Sequence, residues 1–216
     1  MIPILPPRSL VLVLAGLLMS AWVLFAQAIP AKKFKILILG DSLTEGYGVE
    51  KEDAFPARLE VRLKQWQGRF QVLNGGSSGS TSASGVRRLK WYAKGDPNLV
   101  ILALGSNDGL RGVKPDETRK NVEAALQFCR EKKWPVILAG LKVPPNYGME
   151  YATAFEKIYP ALAAKYQVPL IAFLLDGVAG EPDLNQADGL HPNEKGHERI
   201  AEILFRFLKP ILDTYP

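Results

Sequence analysis

Two histidines occur in the 216-residue chain, His191 and His197, together with one cysteine, Cys129. That inventory excludes a three-histidine zinc site, and a lone cysteine can form neither a CxxC pair nor an intrachain disulfide. What remains is the chemistry of an imidazole beside a carboxylate and a hydroxyl. His191 stands in Asp188-Gly189-Leu190-His191-Pro192, with Gly189 permitting a tight turn back to the carboxylate. At that spacing Asp188 can hold one ring nitrogen while the other faces a cleft, as a Ser-His-Asp system requires. The same residues also suit a plain Asx turn, in which the Asp188 side chain serves only its own loop. His197 lies among Glu194, Lys195, Glu198 and Arg199 and reads as a solvated helix residue, whereas Cys129 reads as a buried one.

The hydroxyl must stand at the end of an element close to that imidazole, and two serines qualify. Ser42 opens the turn Gly40-Asp41-Ser42-Leu43-Thr44-Glu45-Gly46. Ser77 sits in Gly75-Gly76-Ser77-Ser78-Gly79, which fits the G-x-S-x-G elbow of another hydrolase fold. That second match is weak because the segment is rich in Gly and Ser throughout. Either serine could also be an ordinary turn or helix-capping residue.

The elements that would position these residues alternate between short apolar runs and longer helical patterns. Strands are expected over Phe34–Leu39, Phe70–Leu73, Leu99–Leu104, Val136–Leu141 and Pro169–Phe173. Helices are expected over Phe55–Trp66, up to about Tyr92, over Pro115–Lys132, over Tyr151–Tyr166 with a kink or break at Pro160, and over Glu194–Leu208. Strands apolar on both faces and alternating with helices specify a parallel sheet covered on both sides, a three-layer α/β/α sandwich of about five strands. In such sheets ligands bind at the carboxyl ends of the strands. The turns after the first, second, third and fifth strands are the polar, Gly-rich ones, so the chemistry is expected at that edge.

Four of these turns, in order, resemble the sequence blocks of the GDSL/SGNH hydrolases. Gly40-Asp41-Ser42-Leu43 resembles the GDSL block, Gly79 the glycine block, Gly105-Ser106-Asn107-Asp108 the G-x-N-D block, and Asp188-Gly189-Leu190-His191-Pro192 the D-x-x-H-P block. Asn107-Asp108-Gly109-Leu110-Arg111-Gly112 and Pro145-Asn146-Tyr147-Gly148 further resemble the bacterial acyl-CoA thioesterase I, lysophospholipase L1 and arylesterase subgroup. The resemblance implies the SGNH fold with flavodoxin-like topology and a serine hydrolase of fatty-acyl esters, thioesters or lysophospholipids. It implies Ser42 as nucleophile, His191 as general base and acid, and Asp188 as the residue orienting it. It also implies an oxyanion hole from the N–H groups of Ser42 and Gly79 and the Asn107 amide. Asp41, Tyr147 and Met149 are expected at the substrate, with Tyr151 nearby. No cofactor or metal is implied, and a periplasmic monomer is the expected form. One departure is evident: Ser80 stands where the subgroup commonly has Asp, which bears on loop hydrogen bonding or substrate preference.

Composition is that of an ordinary globular domain, 47% hydrophobic and 23% charged, with net charge +5 and no long basic run. Such a charge does not identify a nucleic-acid binder, although it suits a transient contact with membrane lipid. Arg8 precedes an apolar stretch, Leu10 to Phe25, that ends in Ala26-Gln27-Ala28. This pattern is a secretory signal, with an uncleaved anchor over residues 9–31 as the alternative, since a span needs about 20 apolar residues. Residues 1–28 are therefore set apart from a hydrolase domain at 29–216. Two other functions compete. The same site with a short pocket would remove acetyl groups from carbohydrate or cell wall. A flavodoxin-like module could hold a nucleotide or flavin phosphate on the Gly/Ser loop, but neither GxGxxG nor GxxxxGK[ST] follows a strand.

Overall fold

The computed structural model describes residues 33–215, and from Lys33 onward the chain forms one compact unit. The expected export or anchor segment, residues 1–28, lies outside the described residues. Five strands, β1 (Phe34–Gly40), β2 (Phe70–Gly75), β3 (Leu99–Ala103), β4 (Val136–Ala139) and β5 (Leu170–Ile171), pair in parallel in the order β2-β1-β3-β4-β5. Leu37 of β1 sits opposite Leu73 on one side and Val100 on the other. Ile36, Leu37, Ile38 and Leu39 are each 0% exposed. Successive strand residues point to opposite faces, so burial of all four requires helices on both.

Those helices form two groups. On one face α2 (Phe55–Trp66) packs against α8 (Glu194–Leu212); on the other, α3 (Gly85–Tyr92), α5 (Pro115–Glu131) and α7 (Ile158–Tyr166) lie side by side. α8 shows why the layers hold. It begins at Asn193, whose side chain accepts hydrogen bonds from the N–H groups of Lys195 and Gly196. It then presents Ile200, Ala201, Leu204, Leu208 and Leu212, all buried, at helical spacing. Burying each such Leu or Ile contributes roughly 1.5–3 kcal/mol.

Several boundaries differ from the sequence pattern. β5 spans only Leu170–Ile171 and starts after Pro169, which has no N–H for the ladder, although the Pro169 carbonyl accepts from Leu138. The break expected at Pro160 in the helix over 151–166 falls three residues earlier, at Lys157, between α6 (Met149–Glu156) and α7. Pro160 thereby falls in the first turn of α7, where a missing N–H breaks no helical bond. α8 runs to Leu212 and accommodates Pro210 in its last turns. Among the described residues no helix is long and apolar enough to cross a membrane.

The strand order itself locates the site. The chain leaves β1 to one side to make β2 and returns across it to make β3, so the connections diverge at the carboxyl ends of β1 and β3. That divergence opens the crevice of a doubly wound sheet.

Candidate active site

Ser42 begins α1 (Ser42–Glu45), a single turn entered directly from β1. Asp41 precedes it and is 1% exposed, and its Oδ1 accepts from the N–H of Leu43 at 3.1 Å. Burial raises the Asp41 pKa, opposed by that hydrogen bond. Beneath the turn, Arg88 donates to the carbonyls of Gly40 and Gly75, joining the ends of β1 and β2.

The loop that follows β5 brings His191 to this turn. His191 Nε2 lies 3.0 Å from Ser42 Oγ, and His191 Nδ1 lies 2.6 Å from Asp188 Oδ2. The other Asp188 oxygen, Oδ1, accepts from the N–H groups of Leu190 at 2.9 Å and His191 at 3.0 Å. The Asx turn is present, but the side chain does not serve its own loop alone: one oxygen makes the turn and the other the ring contact. Partial burial alone would raise the Asp188 pKa, but the backbone N–H and ring of His191 and the N–H of Leu190 outweigh it and hold the carboxyl at about 2. An ionised Asp188 takes the Nδ1 proton as acceptor, which leaves the Nε2 lone pair for the Ser42 hydroxyl. A hydroxyl so placed can pass its proton to the ring as it attacks an electrophile. The Tyr47 ring lies 4.8 Å from the imidazole, and Gln186 ties the two segments by donating to the carbonyls of Tyr47 and Pro192.

Gly79 and Asn107 open onto the same space as Ser42 and His191. Among the described residues, neither the Ser42 nor the Gly79 backbone N–H makes a hydrogen bond, so both remain available as donors. Gly79 has φ +74°, a conformation that favours glycine. Asn107 Nδ2 donates to the Ser80 carbonyl at 3.1 Å, and an amide nitrogen carries a second proton to offer. Asp108, 1% exposed, accepts from the Ser82 N–H at 2.7 Å and from the hydroxyls of Ser82 and Thr118. It thus clamps the loop after β2 to α4 (Ser106–Leu110), the turn that carries Asn107. On the far side of the loop, Glu45 accepts from the N–H and hydroxyl of Ser78. A carboxylate thus reaches this loop from α1 although Ser80 offers none.

Above these groups lies a cavity of about 790 Å³, lined largely by apolar side chains including Leu43, Leu110, Val143, Ala152, Phe173 and Leu175. Met149 lines it and is 71% exposed. Asp41 and Tyr147 do not line it. Asp41 is turned inward as the cap of α1, and the Tyr147 hydroxyl donates to the Leu110 carbonyl. Tyr151 also points away, its hydroxyl donating to Val113. Ser77 is exposed and outside the cavity, its carbonyl accepting from Ser80. His197 corrects the expectation of a solvated residue: it is 1% exposed, with Nδ1 accepting from the Phe55 N–H at 3.2 Å. Most of the cavity wall was not singled out from sequence, because apolar residues on separate segments carry no mark of sharing a surface. Tyr47 was discernible in principle, lying in the same Gly-rich turn as Ser42.

A family model described as GDSL-like Lipase/Acylhydrolase matches residues 38–199. The chain belongs to this family. Esterase TesA of Pseudomonas aeruginosa is 38% identical over 202 residues, 93% of this chain and 98% of that protein. Thioesterase 1/protease 1/lysophospholipase L1 of Escherichia coli K12 is 38% identical over 179 residues, 82% of this chain and 85% of that one. Among solved structures, the psychrotrophic esterase EstA from a Pseudoalteromonas species, solved in a form inhibited by monoethylphosphonate, superposes with a TM-score of 0.80. It is 31% identical and covers 84% of this chain and 100% of its own. The chain is thus a GDSL hydrolase acting on ester and thioester bonds, on the three-layer fold of the SGNH enzymes.

Proposed function

We propose that this hydrolase cleaves fatty-acyl esters and thioesters through an acyl-enzyme on Ser42. The observation that carries the reading is the chain of contacts Asp188–His191–Ser42, at 2.6 and 3.0 Å, ending at the floor of an apolar cavity of about 790 Å³. Ser42 Oγ attacks the acyl carbonyl carbon while its proton passes to His191 Nε2. Ionised Asp188 balances the imidazolium. The carbonyl oxygen, now an oxyanion, faces the N–H groups of Ser42 and Gly79 and the Asn107 amide. Collapse of this adduct breaks the bond to the leaving oxygen or sulfur, which takes the proton from His191. Water repeats the sequence and releases the fatty acid and Ser42.

The cavity favours long acyl groups, because each CH₂ it buries contributes about 0.8 kcal/mol. All the groups named come from one chain, which supports action as a monomer. The charged start, apolar middle and Ala26-Gln27-Ala28 end support export and cleavage after Ala28. The exported protein then begins at Ile29, which intact-mass measurement reads directly; a mass retaining residues 1–28 favours the anchor. Ser42→Ala abolishes p-nitrophenyl ester hydrolysis in the folded protein, and full activity in that variant would refute the assignment.

A further inference from the structure

We propose that Glu45 is a positioning residue that sets the direction of the Gly79 N–H relative to Ser42; this rests on the reading of Ser42 and Gly79 given above. The loop after β2 leaves the sheet at Gly75 and makes few backbone hydrogen bonds before the 3-10 turn at Ser82–Ser84; that from the Ser80 N–H to the Ser77 carbonyl is one. Side chains from other elements therefore hold it. Glu45 Oε2 accepts from the Ser78 N–H at 2.6 Å and also from the Ser78 hydroxyl. Arg111 Nη2 donates to the Gly79 carbonyl at 3.1 Å.

These two anchors bracket one peptide. The Ser78 N–H belongs to the peptide before the one that carries the Gly79 N–H, and the Gly79 carbonyl belongs to the peptide after it. Because peptides are planar, anchoring both neighbours leaves the peptide between them only rotation about the line joining its two Cα atoms, which restricts the aim of the Gly79 N–H. Only the Glu45 anchor comes from the turn that bears the nucleophile, three residues from Ser42. It therefore relates one oxyanion donor to the other across two loops.

The close fit at Gly76 indicates that the contact is built in. A Cβ at Gly76 would collide with the backbone of Glu45 and Thr44, so only glycine lets the loop lie against α1 closely enough for the carboxylate to reach Ser78. The Asn74 amide also donates to the Glu45 carbonyl at 3.4 Å, and Asn74 Oδ1 accepts from the Gly76 N–H at 2.8 Å. Ser78 and Gly79 line the cavity whereas Glu45 does not, so Glu45 acts through the loop and not on the substrate.

The test compares Glu45→Ala, Glu45→Gln and Ser42→Ala in the full chain. Losing an oxyanion donor outright typically costs about 10²–10³ in rate, and a donor that is present but free to turn costs less, about tenfold in kcat. The expected result is that fall in Glu45→Ala, with KM within about twofold because ground-state binding lies in the apolar cavity. Glu45→Gln, whose amide oxygen still accepts from the Ser78 N–H, recovers most of the rate. A serine-directed phosphonate, whose tetrahedral adduct uses the same donors, labels Glu45→Ala more slowly by a similar factor. Parental kcat in Glu45→Ala beside an inactive Ser42→Ala overturns the proposal and leaves the Ser42 reading standing. A fall matched by a lowered unfolding temperature and not recovered by Gln also overturns it, as a purely structural role. An active Ser42→Ala overturns the underlying reading instead.

Discussion

Replacing His197 with Asn removes a buried imidazole while keeping an acceptor near the Phe55 N–H. In the parent protein the ring is 1% exposed and lies against Phe55, with ring centroids 6.1 Å apart. Burial is the main reason its pKa falls to about 4; His191 adds to the depression, whereas Glu194 and Asp53 oppose it. In the unfolded chain the same group titrates near 6.5. Between these values the unfolded chain binds a proton that the folded chain does not, so stability is present above about pH 6.5 and is lost as pH falls toward about 4. The slope is about 1.4 kcal/mol per pH unit where the difference is complete, and from about pH 7 to about pH 4.5 this residue alone withdraws about 2 kcal/mol. Urea unfolding of parent and His197→Asn at the two pH values isolates the effect, because the two proteins differ only at this residue. The parent is the more stable near neutrality, where the ring packs, and its advantage shrinks by about 2 kcal/mol in acid. A difference that stays constant within about 0.5 kcal/mol would show that the ring protonates without penalty, and the argument from burial would fall.

Asp188→Asn keeps the shape of the Asx turn but removes the charge that fixes the His191 tautomer, and kcat falls by about 10³–10⁴ with little change in KM. Steady-state kinetics on a p-nitrophenyl ester measures this, and near-parental kcat would remove Asp188 from the mechanism. Ala152→Trp places an indole in the acyl cavity and lowers kcat/KM for long-chain esters by at least about tenfold while acetyl esters are unaffected. A parallel loss at every chain length would mean that the acyl group does not lie along Ala152.

The sheet was legible because its strands are buried on both faces. Leu99-Val100-Ile101-Leu102-Ala103 and Ile36-Leu37-Ile38-Leu39 have no polar face to present, and only a parallel sheet between helices leaves such runs fully covered. The break expected at Pro160 is present but falls at Lys157, which puts Pro160 in the first turn of α7. Where the pattern misled, at His197, a local rule was applied without its position. His197 was judged by its chain neighbours, which are charged. On a helix the relevant neighbours are three and four residues away, and Ile200 and Ala201 put it on the buried stripe.

At the site, the legible part is the part carried by short segments. Asp188 and His191 share one turn, so their spacing restricted their geometry, although it could not say that one carboxylate would serve two purposes. Ser42 and Ser77 could not be separated by spacing, since each ends a strand in a Gly-rich turn. Topology places their loops differently: β1 lies between β2 and β3, whereas β2 is the sheet's edge. Ser42 therefore opens at the divergence of the chain, within 3.0 Å of His191, and Ser77 stands exposed outside the cavity. The contacts that no local pattern reveals are those between loops, such as Glu45 with Ser78 and Asp108 with Ser82. Each joins segments about thirty residues apart by a side chain that in sequence is only another acidic residue. Short motifs can specify which groups react, but the aim of the oxyanion donors depends on these crossings, and a variant that keeps every motif residue can still lose rate by loosening one of them.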